Sequence, residues 1–114
     1  MRVIKIVAIL FIGALIIFTA CAKSAAPTPT QAPNEVWAVN REFRPSVITV
    51  PVGAKVIWTN KDSEQHTVTS STGLFDGTLP TLSSFSYIFT ERGRFEYSCQ
   101  THSYTGMTGA IIVE

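Results

Sequence analysis

The feature that most constrains this chain is the rhythm of its last ~80 residues, where short runs of β-branched and aromatic residues alternate with turn formers. The runs fall at 36–39, 46–50, 54–59, 66–69, 84–90, 94–99 and 108–113, and none is longer than seven residues. Within them the apolar residues recur at every second position. Phe85, Tyr87 and Phe89 share one face of a strand, as do Phe95, Tyr97 and Cys99. Residues 60–63, Gly73, Asp76-Gly77, Pro80 and Arg92-Gly93 punctuate the runs as turn or loop signals. No window carries the 3.6-residue period of an amphipathic helix. Many short strands in so small a region predict an all-β fold, an antiparallel sandwich or barrel, with Trp58, Phe85 and Phe95 in its core.

What precedes the β region is of another kind. Arg2 and Lys5 supply positive charge ahead of an almost unbroken apolar run from residue 6 to residue 20. A charged start followed by such a run is the pattern of an export signal, and it lacks the polar face a core helix needs. Phe18-Thr19-Ala20-Cys21 resembles a lipobox, in which Cys21 would be lipidated and become the mature N-terminus. An uncleaved membrane anchor is the other reading, since roughly 18–20 residues suffice to span a bilayer. Residues 22–34 are rich in Ala, Pro, Ser and Thr and predict an extended tether. The expected organisation is a signal or anchor at 1–20, a tether at 21–34 and one folded domain at 35–114. Either reading places that domain outside the cytoplasm, beside a membrane.

Without residues 1–20 the chain keeps seven Lys and Arg against eight Asp and Glu. That near-neutral balance lacks the basic patch or stripe of a nucleic-acid binder, and it gives no strong electrostatic steering toward a partner. Cysteine usage says more. With Cys21 committed to lipid, Cys99 is a lone thiol in an exported domain, and a lone thiol there needs a role.

Its neighbours supply one. After residue 21 the chain has two His, one Cys and one Met, and three of those four form Cys99-x2-His102-x4-Met107. The fourth, His66, opens another β run. Singly, each has a bland reading: a surface histidine, a core methionine, a buried thiol. Together they form the donor set of two imidazoles, one thiolate and a weak thioether that defines one class of copper site. Thiolate and thioether are soft donors, and imidazole suits both oxidation states, so a single Cu ion can alternate between Cu(I) and Cu(II) with little movement. Zinc fits less well, because structural zinc sites take four Cys or His ligands and rarely a thioether.

At this point a resemblance is plain. From about Val36 to Glu114 the chain resembles the cupredoxins of the plastocyanin and amicyanin group. The similarity lies in Phe43-x-Pro45, Ile48-x-Val50, Gly53, Val56-x-Trp58-x-Asn60 and His66-x-Val68, and in the run Tyr97-Ser-Cys-x2-His-x4-Met-x-Gly. The ligand-loop spacing is like that of plastocyanin. The resemblance implies a Greek-key sandwich with copper at one end, His66, Cys99 and His102 as equatorial ligands and Met107 as the axial one. It implies that Asn60 and Thr67 support the ligands. Thr67 stands where the family often has an asparagine that ties two loops together, and its hydroxyl can make a similar bond. Ser98 replaces the docking tyrosine of plant plastocyanins, and no acidic docking patch is evident, so a photosynthetic role does not follow. The resemblance further implies that electrons leave through His102 and the surface near Tyr104. That rim, with Ser103 and Gly106, reads as free of strong charge and suited to a brief contact between a monomer and its redox protein partners.

An enzyme is a poor alternative. Two histidines cannot furnish the extra clusters of a multicopper oxidase, and a binuclear copper site needs a second cysteine. A cysteine hydrolase built on Cys99 and His66 or His102 would need a substrate cleft. The closer rival is a copper-delivery or sensing module with the same ligands, and a shell that has lost its metal is a third.

Overall fold

The computed structural model describes residues 30–114, and the compact unit runs from Gln31 to Glu114. The apolar run at 6–20, Cys21 and the tether up to residue 29 lie outside the described residues. In chain order the strands are β1 (Glu35–Val39), β2 (Glu42–Arg44), β3 (Val47–Val50), β4 (Lys55–Asn60), β5 (His66–Ser70), β6 (Asp76–Leu79), β7 (Ser84–Ile88), β8 (Gly93–Ser98) and β9 (Thr108–Val113). They form a four-stranded sheet, β2-β1-β4-β7, and a five-stranded sheet, β3-β9-β8-β5-β6. This is the all-β sandwich the sequence predicts, in the Greek-key form the resemblance implies. Its sheets are mixed rather than wholly antiparallel. β1 runs parallel to β4, pairing Val36 with Trp58, and β3 runs parallel to β9, pairing Ile48 with Ile111.

Two strands were hidden behind turn-forming residues. β2 folds back on β1 through Asn40 and Arg41, whose φ angles of 55° and 59° match the mirror-image turn that suits a two-residue hairpin. Neither residue is glycine, so the turn left no strong mark in the sequence. β6 contains Asp76-Gly77, which reads as a turn. Gly77 is instead a strand residue paired with Val68, and glycine is needed there because a Cβ would run into the Phe85 ring. Among the described residues the one helical piece is a single 3-10 turn, Ser103–Thr105.

Strand alternation decides what faces the core. β4 buries Val56, Trp58 and Asn60, and β5 buries His66, Val68 and Ser70. Trp58 is the hub: the rings of Tyr97, Phe75, Phe85 and Phe89 have their centroids 5.3–6.4 Å from its own. Phe85 and Phe95 pack on the core while staying partly exposed. The same inward phase that carries Trp58 and Tyr97 into the core carries Asn60, His66 and Cys99 to one end of it. That end of the sandwich thus continues the register of the core.

Candidate metal centre

His66 is the first residue of β5, and its side chain is wholly buried. Cys99 follows the last residue of β8 in the inward phase of Phe95 and Tyr97, and it too is fully buried. His102 precedes the 3-10 turn, which ends at Gly106 with φ 88°, a left-handed conformation that favours glycine. That turn reverses the chain so that Met107 enters the core beside the start of β9, fully buried. Backbone bonds close the loop on itself. Cys99 N–H donates to Met107 O at 3.0 Å, His102 N–H to Cys99 O at 3.2 Å, and Met107 N–H to His102 O at 3.3 Å.

Three donor atoms converge. His66 Nδ1 lies 3.2 Å from His102 Nδ1 and 3.7 Å from Cys99 Sγ, and His102 Nδ1 lies 3.5 Å from Cys99 Sγ. These three atoms lie on a circle of radius about 2 Å, close to the length of a first-row metal–nitrogen bond. Outer partners explain the ring orientations. His66 Nε2 is 2.8 Å from Asp62 Oδ2, and a carboxylate only accepts, so Nε2 carries a hydrogen and the other ring nitrogen, Nδ1, faces the cluster. His102 Nε2 faces Glu64 Oε1 at 3.8 Å. Two ring nitrogens and a soft sulfur facing one point make a donor set that fits a soft-tolerant metal such as copper.

Cys99 is prepared to ionise. Burial opposes its thiolate, but the Thr101 hydroxyl at 3.0 Å, the Thr67 N–H at 3.4 Å and His102 outweigh burial and hold the thiol down at about 7. Thr67 also joins the two ligand segments, since its Oγ1 accepts the Gln100 N–H at 2.9 Å. Asn60 works one layer further out. Its Nδ2 donates to Glu64 O at 2.8 Å and Leu79 O at 2.9 Å, while its Oδ1 accepts the Asp62 N–H at 2.8 Å. It shapes the loop between β4 and β5 that presents His66.

Residues Asp62, Glu64, Arg41 and Thr101 also surround the centre, and sequence reasoning did not single them out. An Asp and a Glu in a polar turn look like ordinary solvated residues, and nothing in their spacing marks them. They correct one expectation. The rim near His102 is not free of charge, because Glu64 stands beside the ring and pairs with Arg41 through both of its oxygens. The Arg41 guanidinium holds Glu64 below the usual carboxylate range. Asp62 is lowered as well: burial pushes its carboxyl up, and the Arg41 amide, the His66 ring and the Asn40 amide more than reverse it. Tyr104 is 82% exposed on the same loop, and His102, at 9%, is the one metal-site candidate that is not wholly covered.

A family model described as a cupredoxin-like domain matches residues 8–113 of the chain. Among solved structures, a purple cupredoxin from Nitrosopumilus maritimus is 28% identical with a TM-score of 0.63, over 70% of this chain and 98% of that one. Two variants of amicyanin in the Cu(I) form are 26% and 27% identical, each with a TM-score of 0.65 over 70% of this chain and 80% of theirs.

Proposed function

Because the chain belongs to the cupredoxin-like family, we propose that it is a single-electron carrier, not an enzyme, which holds one copper ion through His66, Cys99, His102 and Met107. The observation that carries this reading is the convergence of His66 Nδ1, His102 Nδ1 and Cys99 Sγ within 3.7 Å of one another. Copper, when bound, supplies a one-electron Cu(II)/Cu(I) couple. The protein's part is to keep the donors fixed. His66, Cys99 and Met107 are fully buried, the loop bonds from Cys99 to Met107 limit movement, and Thr67 ties β5 to the ligand loop. A rigid donor set changes little when an electron arrives or leaves, which keeps transfer fast. His102 reaches the surface beside Tyr104, and that edge is the proposed place where a redox protein partner touches the monomer.

Anchoring belongs to the same proposal. A lipid on Cys21, followed by the tether, would hold the domain on the outer side of a membrane and keep the carrier near membrane-bound partners. A mature protein that begins at Cys21 and carries the added mass of a lipid is the expected result by mass spectrometry. A chain that keeps residues 1–20 would instead support the uncleaved anchor.

The central test is addition of Cu(II) to a chain beginning at Gln31, the start of the compact unit. Intense thiolate charge-transfer colour, a paramagnetic-resonance signal and reversible one-electron cycling are the expected results. Cys99→Ser removes the colour. A chain that stays colourless and binds no copper overturns the proposal. Tight retention of Cu(I), with handover to a metal-free acceptor and no fast self-exchange, would favour the delivery reading.

A further inference from the structure

The two candidate ligand rings meet carboxylates from one short segment, and they meet them differently. Asp62 Oδ2 accepts the His66 Nε2–H at 2.8 Å. Glu64 Oε1 stays 3.8 Å from His102 Nε2, and its charge is engaged by Arg41. Among the described residues, Asp62 makes no ion pair with an Arg or Lys side chain. Its Oδ1 accepts the Asn40 N–H at 2.7 Å, and its Oδ2 accepts the Arg41 N–H at 3.0 Å. Asn40 and Arg41 are both left-handed, with φ of 55° and 59°, so their successive amides turn toward the same anion. The Asp62 backbone is tied down too: its N–H donates to Asn60 Oδ1 at 2.8 Å, and its carbonyl accepts the Thr81 hydroxyl. The result is a carboxylate only 14% exposed, held in one place against a ring that is wholly buried.

A buried imidazole N–H needs only a neutral acceptor, such as a backbone carbonyl, to be satisfied. A carboxylate does more. It puts a fixed negative charge against the ring, makes the ring a better electron donor through its other nitrogen, and fixes which nitrogen carries the hydrogen. Reduction lowers the charge of a copper ion by one, as Cu(II) plus one electron gives Cu(I). A nearby uncompensated anion therefore favours the oxidised ion.

We propose that Asp62 is a positioning residue that sets the reduction potential of this site: it locks His66 with Nδ1 toward the metal and, by its charge, draws the potential down. Glu64, out of hydrogen-bond range and neutralised by Arg41, does neither. The proposal rests on the copper reading above, and its test separates the two.

Asp62→Asn keeps an oxygen to accept the His66 N–H and removes the charge. In the full chain loaded with copper, voltammetry on this variant is expected to show the equilibrium constant for reduction rising at least tenfold. For a one-electron couple that is an upward shift of about 59 mV or more. The change is carried by Cu(II), whose retention against a chelator falls while Cu(I) retention holds. Asp62→Glu restores part of the shift, and Glu64→Gln changes the constant by less than threefold. Asp62→Leu removes both charge and acceptor, so nitrogen-15 spectra of the metal-free chain should lose the slowly exchanging His66 Nε2–H that the wild type displays. An unchanged or lowered potential in a folded, coloured Asp62→Asn protein overturns the proposal, as does a metal-free wild type whose His66 carries its hydrogen on Nδ1. If the wild type takes up no copper, the copper reading and the potential fall together, and the metal-free spectra alone decide whether Asp62 fixes the ring.

Discussion

At the scale of single residues, Thr67 shows how a residue that donates nothing to the metal can hold the candidate ligands in place. Its hydroxyl accepts the Gln100 N–H and its own N–H points at Cys99 Sγ, so one residue anchors both the loop and the sulfur. Thr67→Ala keeps the second contact and loses the first. A net hydrogen bond is worth about 1 kcal/mol, so copper retention against a chelator should fall roughly fivefold, with the colour kept. Thr67→Asn, which restores an acceptor, should recover most of the loss, and equal retention in all three proteins would deny Thr67 this role. His66, Cys99 and His102, whose donor atoms converge, stand out in the sequence with Met107 because rare residue types in a fixed order are improbable by accident. Thr67 was legible as a departure from a family pattern. Asp62 was not legible at all. A carboxylate in a polar turn gains its meaning only when the turn at Asn40 and Arg41 folds against it, and that contact spans 22 residues of chain.

At the scale of elements, alternation exposed seven strands, while two short edge strands were missed for a common reason. Both β2 and β6 contain or adjoin residues that elsewhere make turns, and tertiary packing overrides that local preference. Gly109 of β9 shows how tight such packing is. A Cβ there would run into Tyr97 Oη and lie 2.9 Å from Ser46 O. Tyr97 is buried on the core side and Ser46 O is backbone that already accepts the Ala110 N–H, so neither yields easily. Gly109→Ala should therefore destabilise the metal-free domain by about 1–3 kcal/mol, read by urea unfolding. The first strand is clamped differently. Gln31 Nε2 donates to Glu35 O at 3.0 Å and Arg44 O at 2.7 Å, and Glu35 Oε2 accepts the Thr59 hydroxyl at 2.7 Å. The folded unit thus begins four residues before β1, inside what composition alone assigns to the tether. Burial raises the Glu35 carboxyl, but the Thr59 hydroxyl and the Ala32 amide bring it below its ordinary 4.5. A lowered native value means the contribution is complete above the unfolded value and is lost as pH falls through the native one. Glu35→Gln should flatten the acid limb of the stability curve below about pH 4.5, and unfolding at a series of pH values checks this.

At the scale of the whole molecule, the sandwich spends its interior on two tasks that share one register. Trp58 and its ring partners fill the middle, and the same inward positions, continued past the strand ends, bring Asn60, His66 and Cys99 together. The candidate metal end is therefore assembled from β4, β5 and the loop after β8, which meet only when both sheets have closed. An unfolded chain keeps Cys99 and His102 near each other but lets His66 diffuse away, so it binds the metal far more weakly. Metal binding must then stabilise the folded state by mass action. With free copper at about 1,000 times the dissociation constant, the gain approaches 4 kcal/mol. Thermal unfolding of the metal-free and copper-loaded domain should separate by a margin that grows with copper concentration, and His66→Ala should abolish most of it while Cys99–His102 proximity along the chain is untouched. If that variant keeps the full stabilisation, the ion is held by the loop alone, and the sandwich does not act as the clamp that closes on it.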